Sequence, residues 1–300
     1  MSRQNLIARV PKEKKLSWNS ISRGKITLVF LISVIVFMVC AFLPSAVLAT
    51  TEPDGVRSVD GLVKHFYEDT KHVLSSPLSW RQDDLVLLGA LSVSTFGLML
   101  CDTEFQESAQ RSRTLTTDEV SEWTDRYSKR VINVSIGALY LSGLVRDDRK
   151  LKHTALLCLE SVALAEGITK GLKHLIGRSR PYGDRGAFNF DPVRFPPPPY
   201  SLSFPSGHAT SAFAFSSVVA AQYRSWPARL ISYSFAVTVA LARVNNNAHF
   251  LSDVFFGSVV GIAVGRCLVQ LHRRDERADW NFTSITHDGR IGAGISIWLR

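Results

Sequence analysis

Apolar residues recur at helical spacing in six stretches of this chain, 85–101, 128–145, 151–175, 207–223, 228–243 and 248–271. In the third, Ala155, Leu156, Leu157, Leu159, Val162, Ala163 and Leu164 recur at helical spacing, and Pro181 cannot continue the helix that they begin. Ahead of the six, the segment from Ile26 to Leu43 is almost wholly apolar, follows a basic stretch and leads through Pro44 into Val47-Leu48-Ala49. That order predicts a secretory signal or a retained anchor helix. The segment 51–84 reads as a polar, partly amphipathic lead-in. The tail 272–300 is charged, and Asp288-Gly289 predicts a hairpin-like turn before an alternating strand. The chain therefore divides into 1–50, 51–84, a helical domain 85–271, and 272–300.

The six helices look marginal as membrane spans. The stretch 85–101 is shorter than the roughly 20 residues a bilayer needs, while 128–145 and 151–175 carry Lys, Arg, Asn or Glu. They read as buried helices of a globular bundle.

Composition changes this picture little. Three hundred residues, 46% of them hydrophobic, suit one domain plus an appendage. The net charge of +9 suggests nucleic acid until it is located: Arg3, Arg9, Lys12, Lys14, Lys15, Arg23 and Lys25 face only Glu13 in the first 25 residues. The basicity belongs chiefly to that tail, and no nucleic-acid partner is expected. Cys101, Cys158 and Cys267 fall in or at the edge of apolar helices as core thiols, and Cys40 lacks the small residues that precede a lipidated cysteine. With no zinc-type cysteine spacing and no Asp/Glu cluster, neither a metal nor another cofactor is expected.

Candidate chemistry lies at helix ends. Lys173 and Arg180 are seven residues apart, close to two turns, so both can reach one anion if the helix persists that far. In Pro205-Ser206-Gly207-His208, Ser206 is a favoured N-cap, and the N–H groups of Ser206, Gly207 and His208 open a helix as an anion site. Arg243 offers a planar fork to two phosphate oxygens. His249 and Asp253, at i and i+4, stack on one helix face, where the carboxylate can accept an imidazole N–H and fix the tautomer. Each stretch alone is ordinary; together, in this order, they supply fixed cations, a helix N-terminus and two imidazoles. Glu160 and Glu166 read as a polar helix face, Asn245-Asn246-Asn247 as a turn, and the Pro- and aromatic-rich segment 182–203 as a stiff loop, either over the site entrance or simply packed on the core.

The pattern Lys173-x6-Arg180-Pro181, Pro205-Ser206-Gly207-His208, Ala242-Arg243-x5-His249-x3-Asp253 resembles the type 2 phosphatidic acid phosphatase family, which shares its fold with vanadium haloperoxidases. One position departs, Ala242, where the family usually has Ser. The resemblance implies an all-α fold, a six-helix bundle of the phosphatidic acid phosphatase/haloperoxidase type, here flanked by the apolar N-terminal helix and the hairpin-like tail. It implies a metal-independent phosphatase of phosphomonoesters or diphosphates, possibly lipid-linked: His249 as nucleophile forming a phosphohistidine, Asp253 orienting it, His208 protonating the leaving oxygen, and Lys173, Arg180, Arg243, Ser206 and Gly207 binding phosphate. A vanadate-dependent haloperoxidase and a non-catalytic lipid-phosphate binder are the alternatives. The expected partner is a phosphorylated small molecule or lipid. In integral members of the family six helices cross and the site faces outward; an additional first span would turn it to the cytoplasm. The expected location is therefore a bacterial cell envelope, as a periplasmic domain exported by or anchored through Ile26 to Leu43, with a polytopic inner-membrane protein as the alternative.

Overall fold

Local chemistry marks where the helices begin and end in this computed structural model, which describes residues 59–76, 80–198, 200–275, 279–287 and 290–298. Seven α-helices are present among them: α1 (Val59–Ser75), α2 (Gln82–Arg111), α3 (Leu115–Val145), α4 (Arg149–Ile176), α5 (Gly207–Gln222), α6 (Trp226–Asn245) and α7 (Leu251–Asp275). Thr114 caps α3 by accepting from the Thr117 N–H at 3.2 Å, and Asp148 caps α4 by accepting from the Leu151 N–H at 3.1 Å. Helix α4 stops at Gly177, whose φ of +61° favours glycine and whose N–H donates to the Lys173 carbonyl at 2.9 Å. A Cβ there would lie 1.9 Å from the Asp191 carbonyl oxygen, so no other residue fits. Pro227 opens α6, where a missing N–H costs nothing.

The count and the lengths depart from the pattern-based reading. The lead-in contains α1, held to α7 by a hydrogen bond of 2.7 Å between Asp69 and His272 Nε2. Helices α2 and α3 have 30 and 31 residues, well beyond 85–101 and 128–145. Hydrophobic periodicity missed the first half of α3 because Ser121, Thr124 and Ser128 turn inward while Val120 and Trp123 face out. The N-terminal tail and the apolar segment from Ile26 to Leu43 lie outside the described residues. At the other end, β1 (Asp279–His287) and β2 (Arg290–Trp298) pair antiparallel, Asp279 opposite Trp298 and His287 opposite Arg290. Asp288 and Gly289, between them, lie outside the described residues.

The core gathers Leu157, Cys158, Phe213, Val239, Ile262 and Leu268. Its tightest seam joins α5 to α7, where Gly257, Gly261 and Gly265 recur every four residues. Added Cβ atoms would lie 2.7 Å from the Ser206 carbonyl oxygen, 2.4 Å from that of Thr210 and 2.1 Å from Ser217 Oγ. Glycine at these positions lets the backbones approach and fixes the first turn of α5 against α7. The two helices that carry His208 and Asp253 are thereby set in register.

Helix α2 is not a buried helix, which corrects the expectation for 85–101. Its inward row is Ser94, Leu98, Asp102 and Gln106, and its outward face shows Leu85, Val86, Leu88, Val93, Phe96 and Leu100 to the surroundings. Helix α6 similarly exposes Leu230, Ile231, Val237 and Leu241, and α3 exposes Val134, Leu141 and Val145. At about 1.5 Å per residue, α2 is also long enough to cross a bilayer, which the stretch 85–101 alone was not. Among the described residues, α2 and Leu251–His272 within α7 meet the length and apolarity of a span.

Candidate active site

Three helix ends, the middle of α3 and two connecting segments converge on a cavity of about 590 Å³. Lys173 comes from the last turn of α4, His208 from the first turn of α5, Arg243 from the last turn of α6, and His249 from the short link before α7. Lys173, Arg180, Gly207, His208, Arg243 and His249 all line this cavity, joined by Asp125, Lys129, Tyr182, Asn246 and Ala248. Ser206 and Asp253 stand behind the wall, both fully buried.

Helix α4 ends at Ile176, so Lys173 and Arg180 do not share a helix as the seven-residue spacing suggested. The loop supplies the meeting instead. The Ser179 N–H donates to the Asn189 carbonyl, Arg180 N–H to Tyr200 and Ser203 N–H to Arg178, folding 177–206 back on itself. Lys173 Nζ reaches the carbonyls of Leu202 at 2.5 Å and Ser203 at 3.3 Å. Leu202 holds a left-handed φ of +66°, an uncommon backbone for a side chain of this size.

Ser206 departs from its expected role. It sits at the N-cap position of α5, but its hydroxyl makes no capping bond and finds no partner among the described residues. Its N–H donates to the Asp253 carbonyl at 3.0 Å, so it is not open to an anion. The α5 anion site therefore begins at Gly207. Arg243 is 3% exposed and donates Nη1 to Asp125, while its Nε and Nη2 have no partner among the described residues. Unpaired donors on a buried guanidinium are costly, and these belong to a side chain that lines the cavity.

His249 and Asp253 come close, though not on one helix. Helix α7 starts at Leu251, and His249 precedes it because the Asn245–Asn247 turn, with Asn247 at a φ of +55°, reverses the chain first. Asn245 and Asn246 are structural, donating to Asp118 Oδ1 and the Ser121 carbonyl of α3. His249 Nδ1 lies 3.6 Å from Asp253 Oδ2, too far for a hydrogen bond, and 3.3 Å from Ser203 Oγ. The Ser203 hydroxyl donates to Asp253 Oδ2 at 2.5 Å, and the same oxygen accepts the Phe250 N–H at 2.9 Å. Nδ1–H therefore reaches the carboxylate through Ser203, which presents Nε2 as the free lone pair. The expected direct contact is replaced by a hydroxyl relay, because the Nδ1 proton meets Ser203 first.

Comparison with known proteins finds relatives over part of the chain. Residues 154–277 match the PAP2 superfamily. A lipid A 1-phosphatase of Porphyromonas gingivalis is 35% identical over 107 residues, covering 35% of this chain and 20% of that protein. A lipid A 1-phosphatase of Rhizobium etli is 37% identical over 92 residues, covering 30% of this chain and 38% of its own length. The chain thus spans less than two fifths of these relatives. Among solved structures, Aquifex aeolicus LpxE aligns at 19% identity with a TM-score of 0.44, covering 56% of this chain and 94% of that one. A transmembrane PAP2-type phosphatidylglycerolphosphate phosphatase from Bacillus subtilis aligns at 20% with a TM-score of 0.46, covering 62% and 95%.

The PAP2 region holds all three motifs, but two polar groups at its site escaped motif reasoning. Asp125 lies in α3, outside the matched span, with its carboxylate on Arg243 and 4.0 Å from His208 Nε2. Arg178, two residues before Arg180, is fully buried and bonded to Asp102 and Asp253. The GRSRP sequence offered a signal: a second arginine beside a phosphate-type arginine, in a segment that folds inward.

The electrostatics of this site are those of an anion trap. Burial and the neighbouring Arg180 push the Lys173 ammonium down to about 7. Burial and Arg243 push the His208 imidazole down to about 4. Burial, with Lys173 and Arg180 adding to it against the pull of Asp253, pushes His249 down to about 3. Each shift is the response of a proton to a dry, positive cavity. His249 is therefore neutral at pH 7. Its folded value lies below the ordinary 6.5, so the unfolded chain takes up this proton first. The contribution to stability is complete above about pH 6.5 and is lost as pH falls toward 3. Melting temperature is expected to drop from pH 7.5 to pH 4.5, and a His249→Gln variant is expected to show a shallower drop; an equal slope in both would contradict a buried neutral His249.

Proposed function

We propose that this protein is a phosphatase that hydrolyses phosphate esters of lipids at a membrane surface through a phosphohistidine intermediate. The observation that carries the reading is Arg243: a buried guanidinium whose Nε and Nη2 are unpartnered, in the wall of a cavity that also presents two histidines. Two such N–H groups suit two oxygens of one phosphoryl group. Lys173, Arg180 and the Gly207 and His208 amides complete the cradle around the developing charge.

In the first half-reaction His249 Nε2 forms a bond to phosphorus as the ester P–O bond breaks, and His208 gives its proton to the departing alkoxide. An incoming phosphoryl anion offsets the positive field of Arg243 and raises the affinity of His208 for that proton, so the substrate itself loads the acid. In the second half-reaction His208 takes a proton from water, whose oxygen attacks phosphorus, and the P–N bond to His249 breaks. Free phosphate and the original His249 result. No step is routed through a metal.

The lipid class rests on two supports. The curated relatives are lipid A 1-phosphatases by name. The outward faces of α2 over 85–100, of α3 over 134–145 and of α6 are largely apolar, while α2 and α3 turn Ser, Thr, Asp and Gln inward, the polarity expected of helices seated in lipid. A bundle of this kind takes a lipid phosphate from the bilayer beside its own catalytic end.

The decisive measurement is phosphate release by the detergent-purified chain from lipid A, phosphatidate, phosphatidylglycerol phosphate and a soluble monoester. Turnover of at least one lipid, blocked by vanadate as a five-coordinate phosphoryl mimic and unchanged by EDTA, is expected. Release from the soluble ester alone would remove the lipid assignment, and loss in EDTA restored by a divalent cation would remove the mechanism. Expressed protein is expected to stay in carbonate-washed membranes; recovery in the soluble fraction would contradict the membrane seat.

A further inference from the structure

The strongest polar cluster outside the cavity lies directly behind Asp253. Arg178 is fully buried and spends every branch of its guanidinium. Nε donates to the Ala187 carbonyl at 2.9 Å, Nη1 to Ser252 Oγ at 2.7 Å and to Asp253 Oδ1 at 2.6 Å, and Nη2 to Asp102 Oδ2 at 2.7 Å. The Phe250 ring lies under the guanidinium, 4.5 Å from its carbon. Asp102, on α2, is equally buried, and it also accepts the Ser252 N–H at 3.0 Å and the Ser252 hydroxyl.

This arrangement gives the two oxygens of Asp253 different tasks. Oδ1 is held by Arg178. Oδ2 is left to Ser203, to the Phe250 N–H and to the side facing His249. With Oδ1 pinned, the carboxylate cannot rotate, and Oδ2 stays where the Ser203 relay needs it. Asp102 supplies the opposing pull: one arginine between two carboxylates is fixed along their line, and the Ser252 N–H that Asp102 accepts belongs to the first turn of α7, the helix that bears Asp253.

We propose that Asp102 and Arg178 are positioning residues for the His249 nucleophile, acting through Asp253 as one unit and touching no substrate. This rests on the phosphohistidine reading above. A lysine at 178 would keep the charge but could not span both carboxylates and Ser252 at once. Misplacement of an attacking nitrogen by a fraction of an ångström to one ångström lowers the rate of attack by up to about 100-fold while leaving the phosphate cradle intact. The loss must therefore appear in kcat.

The test uses the full chain in detergent, with Arg178→Lys, Asp102→Asn and the double variant assayed for kcat, KM and inhibition by inorganic phosphate. Each single variant is expected to lose about 100-fold in kcat, with KM and the phosphate inhibition constant within about threefold of the parent. The double variant is expected to be within about threefold of the weaker single, because residues that act through one contact do not add. A folded Asp102→Asn or Arg178→Lys enzyme with kcat within threefold of the parent would overturn the proposal, as would losses that multiply in the double. Equal deterioration of KM and phosphate binding would do the same, since that marks general disruption. Should both singles fail to fold, Ser252→Ala, which removes one hydroxyl and no charge, is expected to lower kcat several-fold at constant KM; unchanged kcat would overturn the proposal. A parent that hydrolyses none of the four esters would instead refute the phosphatase reading, so the two failures are distinct.

Discussion

A His249→Ala variant is expected to lose roughly 10⁴-fold or more of the turnover and to form no trappable phosphoenzyme. The size of the effect follows from what the cavity lacks after the change. The imidazole that remains, His208, is the group assigned to protonate the leaving oxygen, and Lys173 is held by two carbonyls, so neither is placed to attack where Nε2 stood. The cradle of Arg243, Arg180 and Lys173 remains, and phosphate should still bind and inhibit. Phosphorus NMR of acid-labile, base-stable phosphoprotein after rapid quenching checks the intermediate, and single-turnover kinetics check the rate. Normal hydrolysis by a purified His249→Ala enzyme would remove the nucleophile assignment. A Ser203→Ala variant is expected to retain more activity, with a loss of about tenfold, because Asp253 still lies 3.6 Å from Nδ1 when the relay hydroxyl is gone. Losses as large as those of His249→Ala would mean that Ser203 does more than relay.

The sequence pattern made the residues of this site legible, but not the way they are held. Lys173, Arg180, His208, Arg243 and His249 reach one cavity, as the three motifs suggested, because each sits at a break in helical pattern and helix ends collect at one end of a bundle. Their supports could not be read in the same way. Asp102 looks like a stray polar residue in an apolar run, since a sequence does not say which face of α2 turns inward. Arg178 is hidden by the more familiar Arg180 two residues later. The assumption that apolar residues point in misjudged α2 and α3, where Ser94, Thr95, Asp102, Ser121 and Thr124 point in and leucines point out. Length misled as well: 85–101 ends where hydrophobicity drops, yet the helix runs on to Arg111, because Gln106 and Gln110 reach the Val244 carbonyl and brace the turn that precedes His249.

The second large effect is expected at His208, and its size should depend on the substrate. In a His208→Gln variant the leaving oxygen must depart without its proton. That costs about 10²–10⁴-fold for an alkyl phosphate, whose alkoxide is a poor leaving group, and much less for an activated aryl phosphate. The position of His208 supports this division. It stands in the first turn of α5 with Nε2 at 4.0 Å from Asp125, and it lines the same cavity as His249. Asp125 already bonds Arg243, so its negative charge is shared, and burial and Arg243 hold His208 in the neutral form. Only an anion in the cradle shifts that balance, which makes the proton available when a phosphoryl group is bound and withholds it otherwise. A plot of log kcat for phosphoryl transfer against leaving-group pKa is therefore expected to be shallow for the parent and steep for His208→Gln. Parallel lines would show that His208 is not the proton donor, and the role would then pass to the bound substrate's own proton.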